Sequence, residues 1–195
     1  MKKIVYSIAF LGTLAFGFQS CGHKVSRVDV NEQIDISGKW NDVDSRMTAE
    51  AMVEQVLGEV WLSNFVKEKG EKPVVIVGFV KNNSHEHIEA ETFVKDIEKS
   101  FIKSQRVRLV QGGDKREELR AEKADQQTNA SVSTMKKWGL EVGADFILQG
   151  SINSIVDAYK RDKVVYYQVD LELTNIQTNE IVWIGDKKIK KTVRN

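Results

Sequence analysis

The stretch that most constrains this chain is Val165 to Leu173. Val165, Tyr167, Val169, Leu171 and Leu173 alternate strictly with Tyr166, Gln168, Asp170 and Glu172. A period of two with opposite polarity on the two sides is a β-strand with one buried face and one wet face. Phe146–Ile155 before it reads as another strand, Asn175–Asn179 after it as a turn, and Ile181-Val182-Trp183-Ile184 as the start of a last strand. Upstream, Val74–Val80 is an unbroken apolar run, as expected of a central strand covered on both faces. Val107–Val110 is a short strand closed by Gly112-Gly113.

Between these strands the period changes to that of a helix. Ala49, Met52, Val53, Val56, Leu57, Val60 and Trp61 form one broad apolar stripe, opened by Asp44 as N-cap and ended by Gly70. Ile88–Lys103 places Phe93, Ile97, Phe101 and Ile102 on one face of a second helix. Asp114–Asn129 is dense in charge and predicts an exposed helix capped by Asp114; Ser133 then caps a short helix carrying Met135, Trp138 and Val142, stopped by Gly143. The order predicts an α+β fold: a mixed, mostly antiparallel sheet of four to five strands packed with about four helices.

The N-terminus reads as an address. Met1-Lys2-Lys3 precedes the uncharged apolar run Ile4–Phe18, which is the length of a signal h-region and short for a membrane span. It ends at Ser20-Cys21-Gly22, and Cys21 is the only cysteine of the 195 residues. The segment resembles a bacterial lipoprotein signal, with Phe18 where Leu is usual. Acylation of Cys21 would leave an exported protein with no thiol to mispair and would hold it on a membrane. Gly22, by the same resemblance, implies sorting to the outer membrane, facing the periplasm. The expected organisation is a signal peptide over 1–20, a flexible tether over 21–36 and a globular domain over 37–195. Taking Lys2 and Lys3 from the 29 basic residues leaves 27 against 28 acidic ones, a balance with no electrostatic footprint for nucleic acid.

No catalytic constellation stands out. His85-Glu86-His87 is not the helical H-E-x-x-H arrangement and has no partner cluster, so no metal or other cofactor is predicted. P-loop, G-x-G-x-x-G and G-x-S-x-G motifs are missing from the sequence. Gly112-Gly113 with Arg116 could cradle an anion through free backbone N–H groups, although a tight turn is the commoner use of such a pair. The residues alone favour an interaction module over an enzyme.

Ser37-Gly38-Lys39-Trp40-Asn41-Asp42-Val43-Asp44-Ser45-Arg46 resembles the "sGrWNDtDSR" opening of the LpoB-type penicillin-binding protein activators. Lys72–Gly78, Asn83-Ser84-His85-Glu86-His87-Ile88, Arg116-Glu117, Gly143–Gly150, Tyr167–Thr174 and Glu180–Trp183 resemble that family's later motifs in order. The resemblance implies a fold like the N-terminal domain of TolB. It further implies an outer-membrane lipoprotein that docks on a class A penicillin-binding protein and stimulates it without chemistry of its own. Gly38, Trp40, Asn41, Asp42, Asp44 and Arg46 are expected to be structural. Trp40 would cover the end of the sheet, while Asn41, Asp42 and Arg46 fix the turn. Asn83, Ser84, His87, Arg116 and Glu117 are the candidates for interaction. The tether is shorter than in familiar members and lacks their prolines. The alternative is a curli-type secretion lipoprotein with a related αβ domain, whose mark would be a closed ring.

Overall fold

In the computed structural model, which describes residues 25–29, 32–131 and 141–194, the alternating strand is the middle of a long antiparallel trio. Among the described residues the elements run α1 (Asp42–Gly58), α2 (Val60–Lys69), β1 (Val74–Asn82), α3 (Ala90–Ser104), β2 (Arg108–Leu109), α4 (Gly113–Asn129), β3 (Phe146–Tyr159), β4 (Asp162–Asn175) and β5 (Ile181–Arg194). The sheet order is β2-β1-β3-β4-β5. The two pairings made by β1 are parallel and short, and the two made by β4 are antiparallel and span nearly its whole length. Mixed, mostly antiparallel α+β architecture is thus what forms. Residues Gln33–Asn195 make one compact unit; in the separate N-terminal unit, the described residues Val25–Asp29 and Glu32 have no regular structure.

One face of the sheet carries the core. Val75, Val77 and Val80 of β1, Phe146, Leu148 and Ile152 of β3, and Val165, Tyr167, Val169, Leu171 and Leu173 of β4 lie together in it. They meet Met52, Val53 and Val56 of α1 and Phe93, Ile97 and Phe101 of α3, all buried. The first helical stripe does not run through as one helix: Gly58 ends α1, Glu59 is extended, and α2 starts anew at Val60. The break frees carbonyls that α1 cannot satisfy internally. Trp61 answers one of them, its indole N–H donating to Val56 O at 2.6 Å. The ring itself packs edge-on against Phe146 at 5.0 Å. Val60, expected in the stripe, is consequently turned out and 64% exposed. Ile102 departs likewise at 59% exposure, because Phe101 takes the last inward position of α3.

The central strand differs from its apolar pattern in one respect that matters later. Val74 to Val77 are buried, but the register slips between Val77 and Val80, and Phe79 is left 71% exposed. At the other end, Asp145 seals the start of β1: its carboxylate accepts from Val74 N at 2.7 Å and its own N–H donates to Val74 O at 2.8 Å. β3 and β4 run about four residues further than their hydrophobic patterns suggest, meeting at Lys160-Arg161, with Lys160 at φ 54.

Helix α4 buries none of its residues, as its charge predicts. It opens on Gly112 and not Asp114; a Cβ on Gly112 would lie 2.7 Å from Ile76 Cδ1, so the glycine pair admits β1 to close approach. The helix expected from Ser133 lies largely outside the described residues, and Glu141–Ala144 are not helical.

Gly150 tests the packing between β3 and β4. A Cβ there would fall inside the van der Waals shell of the Asp170 carbonyl oxygen, an atom fixed in the ladder. Gly150→Ala is expected to cost about 3 kcal/mol of overpacking strain, measured by denaturant unfolding.

Candidate functional site

The opening motif is assembled by a capping box. Asn41, not Asp44, is the N-cap of α1: its side-chain oxygen accepts from Asp44 N at 3.0 Å, and Asp44 at N3 accepts from Asn41 N at 3.0 Å. The expected cap was displaced by three residues because either carboxamide or carboxylate suits the role, and the reciprocal pair decides which one begins the helix. The Asn41 amide also donates to Asp35 Oδ1 at 2.8 Å. Asp42 is exposed in the first turn, Arg46 is half-buried, and Ser45 Oγ donates to Asp96 of α3 at 2.9 Å.

Asp44 has a second partner that no local pattern announces. Lys191, from the last strand, places its ammonium 2.6 Å from Asp44 Oδ2, 2.6 Å from Asp35 Oδ1 and 3.0 Å from Lys39 O. Burial works to lower the Lys191 pKa, but the bonds to Asp35 and Asp44 outweigh it and hold the ammonium above its ordinary value. The Lys191 hydrogen bond in turn leads the effects that hold Asp35 below the usual carboxylate range. Gly38, at φ 67, is packed so tightly on Val193 of β5 that any side chain would overlap it.

Trp40 stands between this clamp and the histidine loop. Its ring meets Tyr167 at 5.6 Å and Phe93 at 6.2 Å, both edge-on, so it covers the core side of β4. Its backbone N–H donates to Glu86 Oε2 at 3.1 Å. Two motifs that are 46 residues apart in sequence are therefore joined by one hydrogen bond. Glu86 lies beside the buried Tyr167 phenol, whose pKa is raised first by burial and then by that carboxylate. His85 stacks on Tyr167 at 6.4 Å and puts Nε2 3.3 Å from Glu86 Oε1 and Nδ1 2.6 Å from Ser154 Oγ.

The interaction candidates divide. Ser84 is spent on the loop itself, its hydroxyl donating to Asn82 Oδ1 at 2.7 Å. Asn83 reaches Asn153 at 3.3 Å, and His87 is exposed. Arg116 donates to Gln111 O at 2.9 Å, and Glu117 pairs with Arg120 at 2.6 Å on the outside of α4. Lys115, next to them, reaches Glu91 at the start of α3, which brings the two helix starts together. Between them and the end of β1 lies a groove lined by Gly78, Phe79, Val80, Ala90, Val94 and Asp114. Cys21 lies outside the described residues. Sequence reasoning singled out neither Phe79, Lys191 nor Glu86 as site residues. An aromatic beside a glycine late in an apolar strand was the one available signal, and it marked Phe79. Among the described residues no group of three or more His, Cys, Asp or Glu is placed to hold a metal ion.

Lys191→Met strands Asp44 without its cation. It is expected to cost about 2 kcal/mol, below the range for a fully buried pair because the clamp borders solvent. The raised Lys191 pKa means that the clamp's stabilisation is complete below 10.5 and is lost as pH rises through the folded-state value. The lowered Asp35 pKa means that its share is present above 3.8 and is lost as pH falls through its folded-state value. Denaturant unfolding across pH should therefore show the two proteins converging at both extremes. A difference independent of pH would remove the ionic account.

The family profile described as peptidoglycan-synthase activator LpoB matches residues 44–189. Among solved structures, the LpoB C-terminal domain from Escherichia coli is 20% identical, over 75% of this chain and 98% of that one, with a TM-score of 0.43. The corresponding domain from Salmonella enterica is 18% identical over the same shares, with a TM-score of 0.40. Lipoprotein GNA1162 from Neisseria meningitidis is 10% identical over 63% of this chain and 84% of that one, also at 0.40. No curated protein sequence matches. The profile covers the capping aspartate, the histidine loop, the groove and the sheet together, and the chain belongs to the LpoB family of peptidoglycan-synthase activators.

Proposed function

We propose that this chain is an outer-membrane lipoprotein, anchored through Cys21 and facing the periplasm, whose domain docks on a class A penicillin-binding protein and stimulates it. The family match over residues 44–189 carries the reading. A docked activator works by binding the active state of its partner better than the inactive one, so it needs a firm, specific surface and no catalytic group.

The groove at the end of β1 is the surface best suited to that task. Phe79 is a large aromatic left exposed on a strand whose other apolar residues are buried, and an exposed aromatic in a shallow groove is the usual anchor of a protein interface. Glu89, Glu91 and Asp114 line it, and Lys115 pairs with Glu91 at its α4 side, giving the apolar centre a polar rim. Asn83 and His87 are exposed on the loop between β1 and α3. Behind these elements, Trp40 is bonded to Glu86 of the loop and Ser45 of α1 to Asp96 of α3.

Phe79→Asp should weaken docking by about 2 kcal/mol or more, the scale of an interface anchor, and so reduce stimulation of glycan polymerisation by the purified synthase about thirtyfold at limiting activator. Val66→Asp, at an exposed position of α2, serves as the control. Full stimulation by the Phe79 variant would remove the groove from the interface, and no stimulation by the wild-type chain would remove the activator role. The anchor has its own test: metabolic labelling with radioactive palmitate should mark the wild-type chain and not Cys21→Ser.

A further inference from the structure

The far end of the β3–β4 hairpin and the last residues of β5 carry features that docking at Phe79 leaves unused. Asn82, the end of β1, pairs with Ile152, so β3 continues seven residues beyond its parallel neighbour. Residues 155–162 are all exposed.

Charge is concentrated there. Residues 157–163 and 186–194 contain eight Lys and Arg against three Asp, while the remainder of the chain is acidic. Lys191 is consumed by Asp35 and Asp44; Arg194 pairs with Asp162 and Lys188 with Asp186. Lys160, Arg161 and Lys190 remain as exposed cations without an ion pair among the described residues.

Apolar surface lies among them. Ile155 is 66% and Tyr159 72% exposed. In register, Ile155 lies beside Tyr166 and Tyr166 beside Lys190, a row of aliphatic, aromatic and cation across three strands. Lys160 Nζ stands 5.1 Å from the Tyr159 ring centre.

The third feature is the path of the chain. Residues 33–38 run along this end of β5, with Asp35 on Lys191 and Gly38 against Val193, which is paired with Lys163. Protection of an exposed sheet edge accounts for lysines on β5, but not for Lys160 and Arg161 in the turn or for Tyr159 and Ile155. An acidic protein partner would match the charge, but not its position where the tether joins the domain.

We propose that this hairpin end rests on the anionic phospholipid headgroups of the membrane to which the chain is tethered. Tyr159 and Ile155 sit at the interface, and Lys160, Arg161 and Lys190 lie over the phosphates. The proposal rests on the anchored reading of Cys21. From Cys21 to Gln33 the chain spans at most about 40 Å, which allows the contact. Its consequence is orientation: a tethered domain that would otherwise tumble is held hairpin-down.

The test uses the chain from Gly22 onward without acyl groups, which keeps every core residue, Trp40 to Ile189. It is floated with phosphatidylethanolamine vesicles, with and without phosphatidylglycerol. The expected result is co-flotation with the phosphatidylglycerol vesicles alone, abolished by high salt. Combined Lys160→Glu, Arg161→Glu and Lys190→Glu should reduce it at least about tenfold, and Tyr159→Ser by less, with circular dichroism and melting unchanged. No flotation by the wild-type chain, or equal flotation by the triple variant, overturns the proposal. So does a triple variant that floats normally but fails to stimulate the synthase in detergent, since the patch would then be a protein interface. Because no acyl group is present, failed palmitate labelling or failed synthase stimulation by the wild type counts against the earlier reading separately.

Discussion

The arrangement of this domain depends on the Lys191 ammonium. It sits 2.6 Å from a carboxylate at the first turn of α1 and 2.6 Å from another in the segment leading to it. One cation on the last strand is thus bonded to the capping-box aspartate of the first helix, across 147 residues of sequence. The side chains of Lys191 and Asp44 are only 10% and 9% exposed, so each would be costly alone, and together they are locked in register. With α1 started at Asp42, the side of the helix bearing Met52, Val53 and Val56 faces the sheet, and Ser45 reaches α3. A start shifted by one residue would rotate that side by about 100°.

Glu86 performs the matching task for the histidine loop. It accepts from the Trp40 backbone N–H, lies beside Tyr167 and approaches His85, so the loop after β1 is bound to both the opening motif and the centre of β4. This explains why residues with the look of metal ligands or general bases belong to the framework here. His85 is occupied by Ser154 and Glu86, and Ser84 by Asn82. What the framework presents outward is a groove lined by Phe79 and, elsewhere, a basic hairpin end.

The sheet was legible because its periods are strong. Strict alternation over Val165–Leu173 gave β4 and its buried face, and the apolar run after Pro73 gave the interior position of β1. Helix faces were legible for the same reason, apart from Val60 and Ile102 at the edges of their stripes, where the break between α1 and α2 and a neighbouring Phe decided exposure. Of the site, the sequence showed the opening motif and the loop as separate stretches. It did not show their contact, since Trp40 and Glu86 meet only when α1, the β1–α3 loop and β4 are packed together.

The sequence by itself determined the element types, the α+β class and the family, since these follow from local periodicity and from motifs read in order. Tertiary structure alone decided that Asn41 caps α1, that Asp44 answers to Lys191, that Phe79 is left outside, and that cations from the β3–β4 turn and β5 gather where the chain joins the domain. The physical reason is common to all four. Each depends on charges, caps or exposures set by residues distant in sequence, whereas a local pattern records only which way a side chain faces along its own strand or helix.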